Sequence, residues 1–155
     1  MLHFTEKTVE LNGSSSFADF SLDAFANLEI ETVLAHPADL EIVLGEVLTN
    51  DGRIQREPGG YRTIRIMHKL CPAGTFRFSF ELPEHHSPCH SDLTVKVPEE
   101  AEGEIVPFRY VEVSGGEPGG RVLLRRREVF GPFDDNAASF VCSDDRLNRL
   151  WKLCK

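Results

Sequence analysis

The sequence predicts an all-β fold: an antiparallel β-sandwich or jelly roll, followed by a short C-terminal helix. Three observations carry this reading. Turn signals recur at close intervals along most of the chain. The short runs between them alternate apolar and polar residues, as strands with one buried face do. Helical spacing becomes clear only in the last dozen or so residues.

The breakers run in order: Gly13 to Ser16, His36-Pro37, Asn50-Asp51-Gly52, Pro58 to Gly60, Pro72 to Gly74, Gly115 to Gly120, and Gly131-Pro132. Between them, Leu28 and Ile30 alternate with Glu29 and Glu31. Leu40, Ile42 and Leu44 alternate with Glu41, Val43 and Gly45. Ile64 and Ile66 alternate with Thr63, Arg65 and Met67. The clearest strand is Thr75 to Leu82, with Phe76, Phe78, Phe80 and Leu82 on one face and Thr75, Arg77, Ser79 and Glu81 on the other. Leu93, Val95 and Val97 form another. Ile105 to Ser114, Arg121 to Phe130 and Ala138 to Val141 complete about eight strands. Before them, Ser16 to Ala26 has room for one helical turn.

The end of the chain reads differently. Ser143 is a good helix cap, Asp144 and Asp145 suit the positive end of a helix dipole, and Leu147, Leu150, Trp151 and Cys154 share one face. A face with Trp and Leu needs something to pack against. The expected organisation is therefore a lead-in over 1–26, a sandwich over 27–142, and over 143–155 the first helix of a truncated helical domain. The bland alternative is a short helix docked on the sandwich.

At 155 residues the chain can bury a core of its own. Its net charge of −8 disfavours a nucleic-acid partner, which requires a basic face. It has no long apolar run for a membrane helix, and Met1 to Gly13 lacks a signal-peptide core. Cys71, Cys89, Cys142 and Cys154 form no CxxC, and a chain this long needs no staples, so free thiols are expected. The compartment stays open.

The search for chemistry finds no catalytic residue and no cofactor motif. The acids come mainly as neighbours, Glu99-Glu100, Asp134-Asp135 and Asp144-Asp145, which diverge on strands and helices alike. A glycosidase needs two carboxyls facing each other across a bond. No GxSxG elbow or phosphate loop occurs. His85, His86, Cys89 and His90 place four metal-type ligands in six residues, but Pro88 breaks any helix there and no second ligand pair exists, so no metal site is expected. One Trp and two Tyr make an exposed sugar-stacking platform hard to build. Arg109 stands out, in line with Val111 and Val113. It reads either as an arginine reaching water at a strand end or as an interface residue pairing across a domain boundary.

Three stretches resemble the bacterial α-L-rhamnosidases of glycoside hydrolase family 78. Gly45-Glu46-Val47-Leu48-Thr49-Asn50-Asp51-Gly52-Arg53-Ile54 is similar to the strand, turn and returning strand early in their concanavalin-like sandwich. Pro107-Phe108-Arg109-Tyr110-Val111-Glu112-Val113 is similar to a strand late in that domain. Phe140 to Trp151 resembles the start of their (α/α)6 barrel. Order and spacing agree over roughly residues 28 to 155. The resemblance implies a parent enzyme that removes terminal α-L-rhamnose with inversion, using carboxylates that lie in the barrel. It carries no catalytic residue onto this chain. The expected role is a non-catalytic accessory sandwich, whose partners are the barrel of the same polypeptide and, for the whole enzyme, a rhamnosylated glycoside. Arg109, Leu147, Leu150 and Trp151 are the expected domain interface. The alternative is an independent carbohydrate-binding module. An isolated chain with an uncovered apolar face is also expected to self-associate.

Overall fold

The computed structural model describes residues 2–60, 62–84, 103–130, 134 and 136–154. Among these lie seven strands and one helix: β1 (Leu2–Glu10), β2 (Ser15–Leu34), β3 (Ala38–Gly45), β4 (Ile64–Cys71), β5 (Gly74–Ser79), β6 (Val106–Ser114), β7 (Arg121–Val129) and α1 (Asp145–Cys154). Every strand pairing is antiparallel. The order is β1-β7-β2-β6-β3-β4, with β5 also on β2.

The 20-residue β2 organises the sandwich. Its first part, Ser15 to Ala26, pairs with β6. Its second part pairs with β7 through Ala26 to Val33 and, on the other edge, with β5 through Glu29 to Leu34. One strand thus belongs to both layers, β2-β6-β3-β4 and β1-β7-β2-β5. The bend between them is a bulge, where the register shifts between Asp19 and Ala24. There Ser21 takes a φ of 72° and donates its N–H to Asp19 Oδ1 at 2.7 Å. Strands that change layers commonly do so at such bulges.

The core follows the period-two pattern. Leu28, Ile30, Leu40, Ile42, Leu44 and Leu124 are all buried in one cluster with Phe108, Val111 and Val113. Strict alternation fails within β6. Phe108 and Val111 both face the core, while Arg109 and Tyr110 between them are only half-buried. The failure falls opposite the bulge of β2, which sets four residues, 20–23, against Arg109 alone.

A hairpin covers the outer face of β3 and β6. Leu48 bridges Ile54, and Thr49 and Arg53 exchange backbone and hydroxyl hydrogen bonds around the turn. Ile54 is buried against Gly45, where a Cβ would sit 2.5 Å from Ile54 Cγ2. Val43 faces this hairpin and is fully buried, so β3 is covered on both sides.

Several expectations need correction. Residues 1–26 do not stand apart as a lead-in before the sandwich: Leu2–Glu10 and the first part of β2 are strands of the sheet. Ser16 to Ala26 holds no helical turn. The strand from Thr75 ends at Ser79 rather than Leu82. Ala138 to Val141 is irregular, because Phe140 packs on Trp151, 5.9 Å between ring centroids, instead of pairing with a strand. The cap of α1 is Asp144, whose Oδ1 accepts the Arg146 N–H at 2.9 Å, and not Ser143. The segment Leu93 to Val97 lies outside the described residues.

Candidate functional site

Arg109 sits at the β2 bulge. Its Nε and Nη2 donate to Asp19 Oδ1 and Oδ2, both at 2.8 Å. Its guanidinium carbon lies 4.8 Å from the Tyr110 ring centroid, and Phe17 stacks on that ring at 5.5 Å. The hydrogen bonds from Arg109 lower the pKa of Asp19 to about 2, the strongest influence on that carboxyl. The planar fork thus has an intramolecular partner in this chain, across the bulge.

The other expected interface residues are on α1. None of its residues is buried. Leu147 is 47% exposed and Leu150 53%, and Trp151 is half-buried beside Phe140. The helix is tied to the preceding segment through Asn148, whose side-chain amide bonds Cys142 N at 2.9 Å and Cys142 O at 2.8 Å. Among the described residues, no hydrogen bond, ion pair or ring contact joins Arg109 to α1. The four residues do not form one contiguous site within this chain.

Two buried ionic clusters are absent from the sequence reading. Glu112 on β6 is 1% exposed. It accepts from Arg53 Nε at 3.1 Å, Arg56 Nη2 at 3.4 Å and the Ile54 N–H at 3.3 Å. Burial alone would raise its pKa, but the bonds from Arg53 and Ile54 and the two arginine charges together hold it below the usual value. The second cluster joins the layers. Arg126, 2% exposed, donates to Glu128 Oε1, to Leu22 O at 2.7 Å and to Phe108 O at 2.9 Å. Its guanidinium also lies over Phe20 and Phe108. Glu128 in turn receives Thr5 Oγ1 at 2.7 Å and contacts His3 Nδ1 at 3.1 Å. All these groups are mutually satisfied, so both clusters are structural braces.

Near the second cluster, Asp23 is raised to about 6. Desolvation comes first, then the charge and hydrogen bond of the Glu46 carboxyl, with Arg126 pulling the other way. Among the described residues this carboxyl pair meets, and it belongs to residues the acid-neighbour search passed over. Its members come from the bulge of β2 and the residue after β3, which no local spacing could connect.

A cleft of about 330 Å³ opens on the outer face of β5, β2 and β7. Glu29, Glu31, Arg77, Ser79, Leu123 and Arg125 line it. Among the described residues no group of three or more His, Cys, Asp or Glu is placed to hold a metal ion. His85 to His90 lie outside them. Cys71, Cys142 and Cys154 are free thiols. No helix among the described residues is long and apolar enough to cross a membrane.

The fold and these sites define an all-β sandwich with a bipartite long strand, buried ionic braces, an outer-face cleft and an exposed C-terminal helix. Compared with known proteins, the chain matches no family model and none of the curated proteins.

Proposed function

We propose that this chain is a non-catalytic accessory β-sandwich of a larger glycoside-cleaving enzyme of the α-L-rhamnosidase kind. One observation carries this reading: the apolar side of α1 is presented to solvent. Leu147, Leu150 and Leu153 are 47%, 53% and 79% exposed, and Val141 just before the helix is 88% exposed. Exposed apolar side chains gathered on and just before one short helix mark an interaction surface more often than a solvated one. The three sequence stretches that resemble family 78 support the same assignment, and α1 falls where the resemblance places the first barrel helix. In this role the sandwich contributes no reacting group, and α1 buries its leucines in a helical catalytic domain.

The test has two arms. The chain alone is assayed against an aryl α-L-rhamnoside, and so is the polypeptide that includes whatever is encoded after Lys155. No turnover by the first and turnover by the second is the expected pair of results. Hydrolysis by the chain alone overturns the accessory role. An encoded stop after Lys155, or a continuation with no helical domain, overturns the parent assignment.

A further inference from the structure

The outer face of the β1-β7-β2-β5 layer carries two cross-strand rows. In register, Glu6, Arg125, Glu29 and Ser79 form the first, and Thr8, Leu123, Glu31 and Arg77 the second. The cleft lies over these rows. Its volume is at the lower end of the range of small-ligand sites, roughly 300–1,000 Å³.

The chemistry of the cleft is mixed in a specific way. Arg125 donates its Nε to Glu6 at 2.6 Å and holds Nη1 3.6 Å from Glu29. Arg77 donates its Nε to Glu31. Among the described residues, neither terminal nitrogen of Arg77 has a hydrogen-bond partner. Donors and acceptors therefore alternate around one apolar residue, Leu123, which faces outward and is only half-buried. Phe78, opposite buried Ile30, points the other way and packs on the core.

Charge narrows the ligand class. Two arginines stand against Glu6, Glu29 and Glu31, so the cleft has no cationic excess. A phosphate or polyanion gains little there. A hydroxyl group suits it, because each one both donates and accepts. A ring with hydroxyls at its rim and C–H groups on its face matches the polar rim and the Leu123 floor. We infer that this cleft binds one neutral pyranose unit, with Arg77 and Glu31 gripping adjacent hydroxyls and Leu123 meeting the ring face. This site goes beyond the accessory role and does not depend on it. A merely solvated row of cross-strand ion pairs would need neither concavity nor a central leucine.

The experiment is a backbone-amide NMR titration of the full chain with a panel of methyl pyranosides, including methyl α-L-rhamnopyranoside and methyl α-D-glucopyranoside. A parallel arm uses inorganic phosphate. Saturable shifts centred on Glu29 to Glu31, Arg77 to Ser79 and Leu123 to Arg125 are expected with at least one glycoside. Arg77 is 79% exposed, so Arg77→Ala leaves the fold intact. It should weaken binding about tenfold, the loss of one charge-assisted hydrogen bond. Leu150→Glu, on α1 and outside the cleft lining, should leave binding unchanged while abolishing any helix docking, which separates this site from the accessory reading. No saturable shift with any pyranoside overturns the inference. So do shifts confined to other strands, an unaltered affinity in Arg77→Ala, or saturation by phosphate alone.

Discussion

The Glu112 carboxylate, 1% exposed, is held by Arg53 Nε at 3.1 Å, although the Arg53 side chain itself is 54% exposed. The arginine arches over the sheet and seals the acid beneath the hairpin. The backbone N–H of Ile54 completes the clasp at 3.3 Å. Glu112 thus fastens residues 46–56 onto β3 and β6, and its removal leaves Ile54 N–H buried without an acceptor. Glu112→Ala should cost about 2–4 kcal/mol in urea unfolding, and Glu112→Gln less, since its amide oxygen still accepts. The Ala variant should also be cut faster by protease within the hairpin.

Acid should loosen the same clasp. The folded pKa values of Glu112 and Glu128 both lie below the usual one, so each acid binds its proton less readily when folded. Their stabilisation is fully present above the unfolded value, about 4.3, and is lost as pH falls through the lower folded values. A urea midpoint measured from pH 6 down to pH 3 should fall most steeply below about pH 4.5. In Glu112→Gln that slope should be shallower.

Arg126 and Glu128 are worth more as a pair than alone. Arg126→Met leaves Glu128 with the charge still buried, the Thr5 hydroxyl and His3 as its remaining contacts, and should cost about 3–5 kcal/mol. Adding Glu128→Gln should restore a large part of that loss, since the unpaired charge is then gone. Equal and additive losses in the double-mutant cycle would show that the two act independently.

Asp23 works in the opposite sense. Its pKa rises from 3.8 to about 6, so its favourable contribution is greatest below the unfolded value and is lost as pH climbs through 6. Asp23→Asn should therefore stabilise the chain slightly above pH 6. Although its carboxyl is partly desolvated beside Glu46, the residue as a whole keeps much of its surface in water, which limits the gain to under about 1 kcal/mol. Thermal melts of both proteins at pH 5 and pH 8 should converge at the lower pH.

Much of the sheet was legible from alternation and turn signals. β3 falls where apolar residues recur every second position, β4 was placed with its faces reversed, since Met67 is buried and Ile66 49% exposed, and the turn signals around these runs give the all-β class. The first 26 residues were not legible, for an identifiable reason. The bulge of β2 leaves Leu22 72% exposed and Phe25 57% exposed while Phe20 and Ala26 are buried, so no single period runs through that stretch. Arg125-Arg126-Arg127 looks like a solvated run, yet Arg126 is in the core because two carbonyls from β2 and β6, and Glu128 two residues along its own strand, await it. The outer-face cleft was equally hidden. Glu29, Arg77 and Leu123 are far apart in sequence, and only the register of β5, β2 and β7 makes them neighbours.

The helix offers the most direct test of what this sandwich leans on. Trp151 is the only tryptophan in the chain and lies between the exposed leucines of α1. In the chain alone, Leu147→Glu with Leu150→Glu should change stability by no more than about 0.5 kcal/mol, because neither residue is buried. The same double substitution should reduce the concentration-dependent self-association of the isolated chain in sedimentation, since it removes the apolar surface two copies would share. In a polypeptide that continues past Lys155 into a helical domain, as proposed, the Trp151 emission should shift to the blue as the ring leaves water. That shift should be lost with the two glutamates, together with rhamnoside turnover if α1 helps to shape the catalytic domain. A large destabilisation of the chain alone by the double variant would mean that α1 packs on the sandwich, and that its leucines have no second domain to meet.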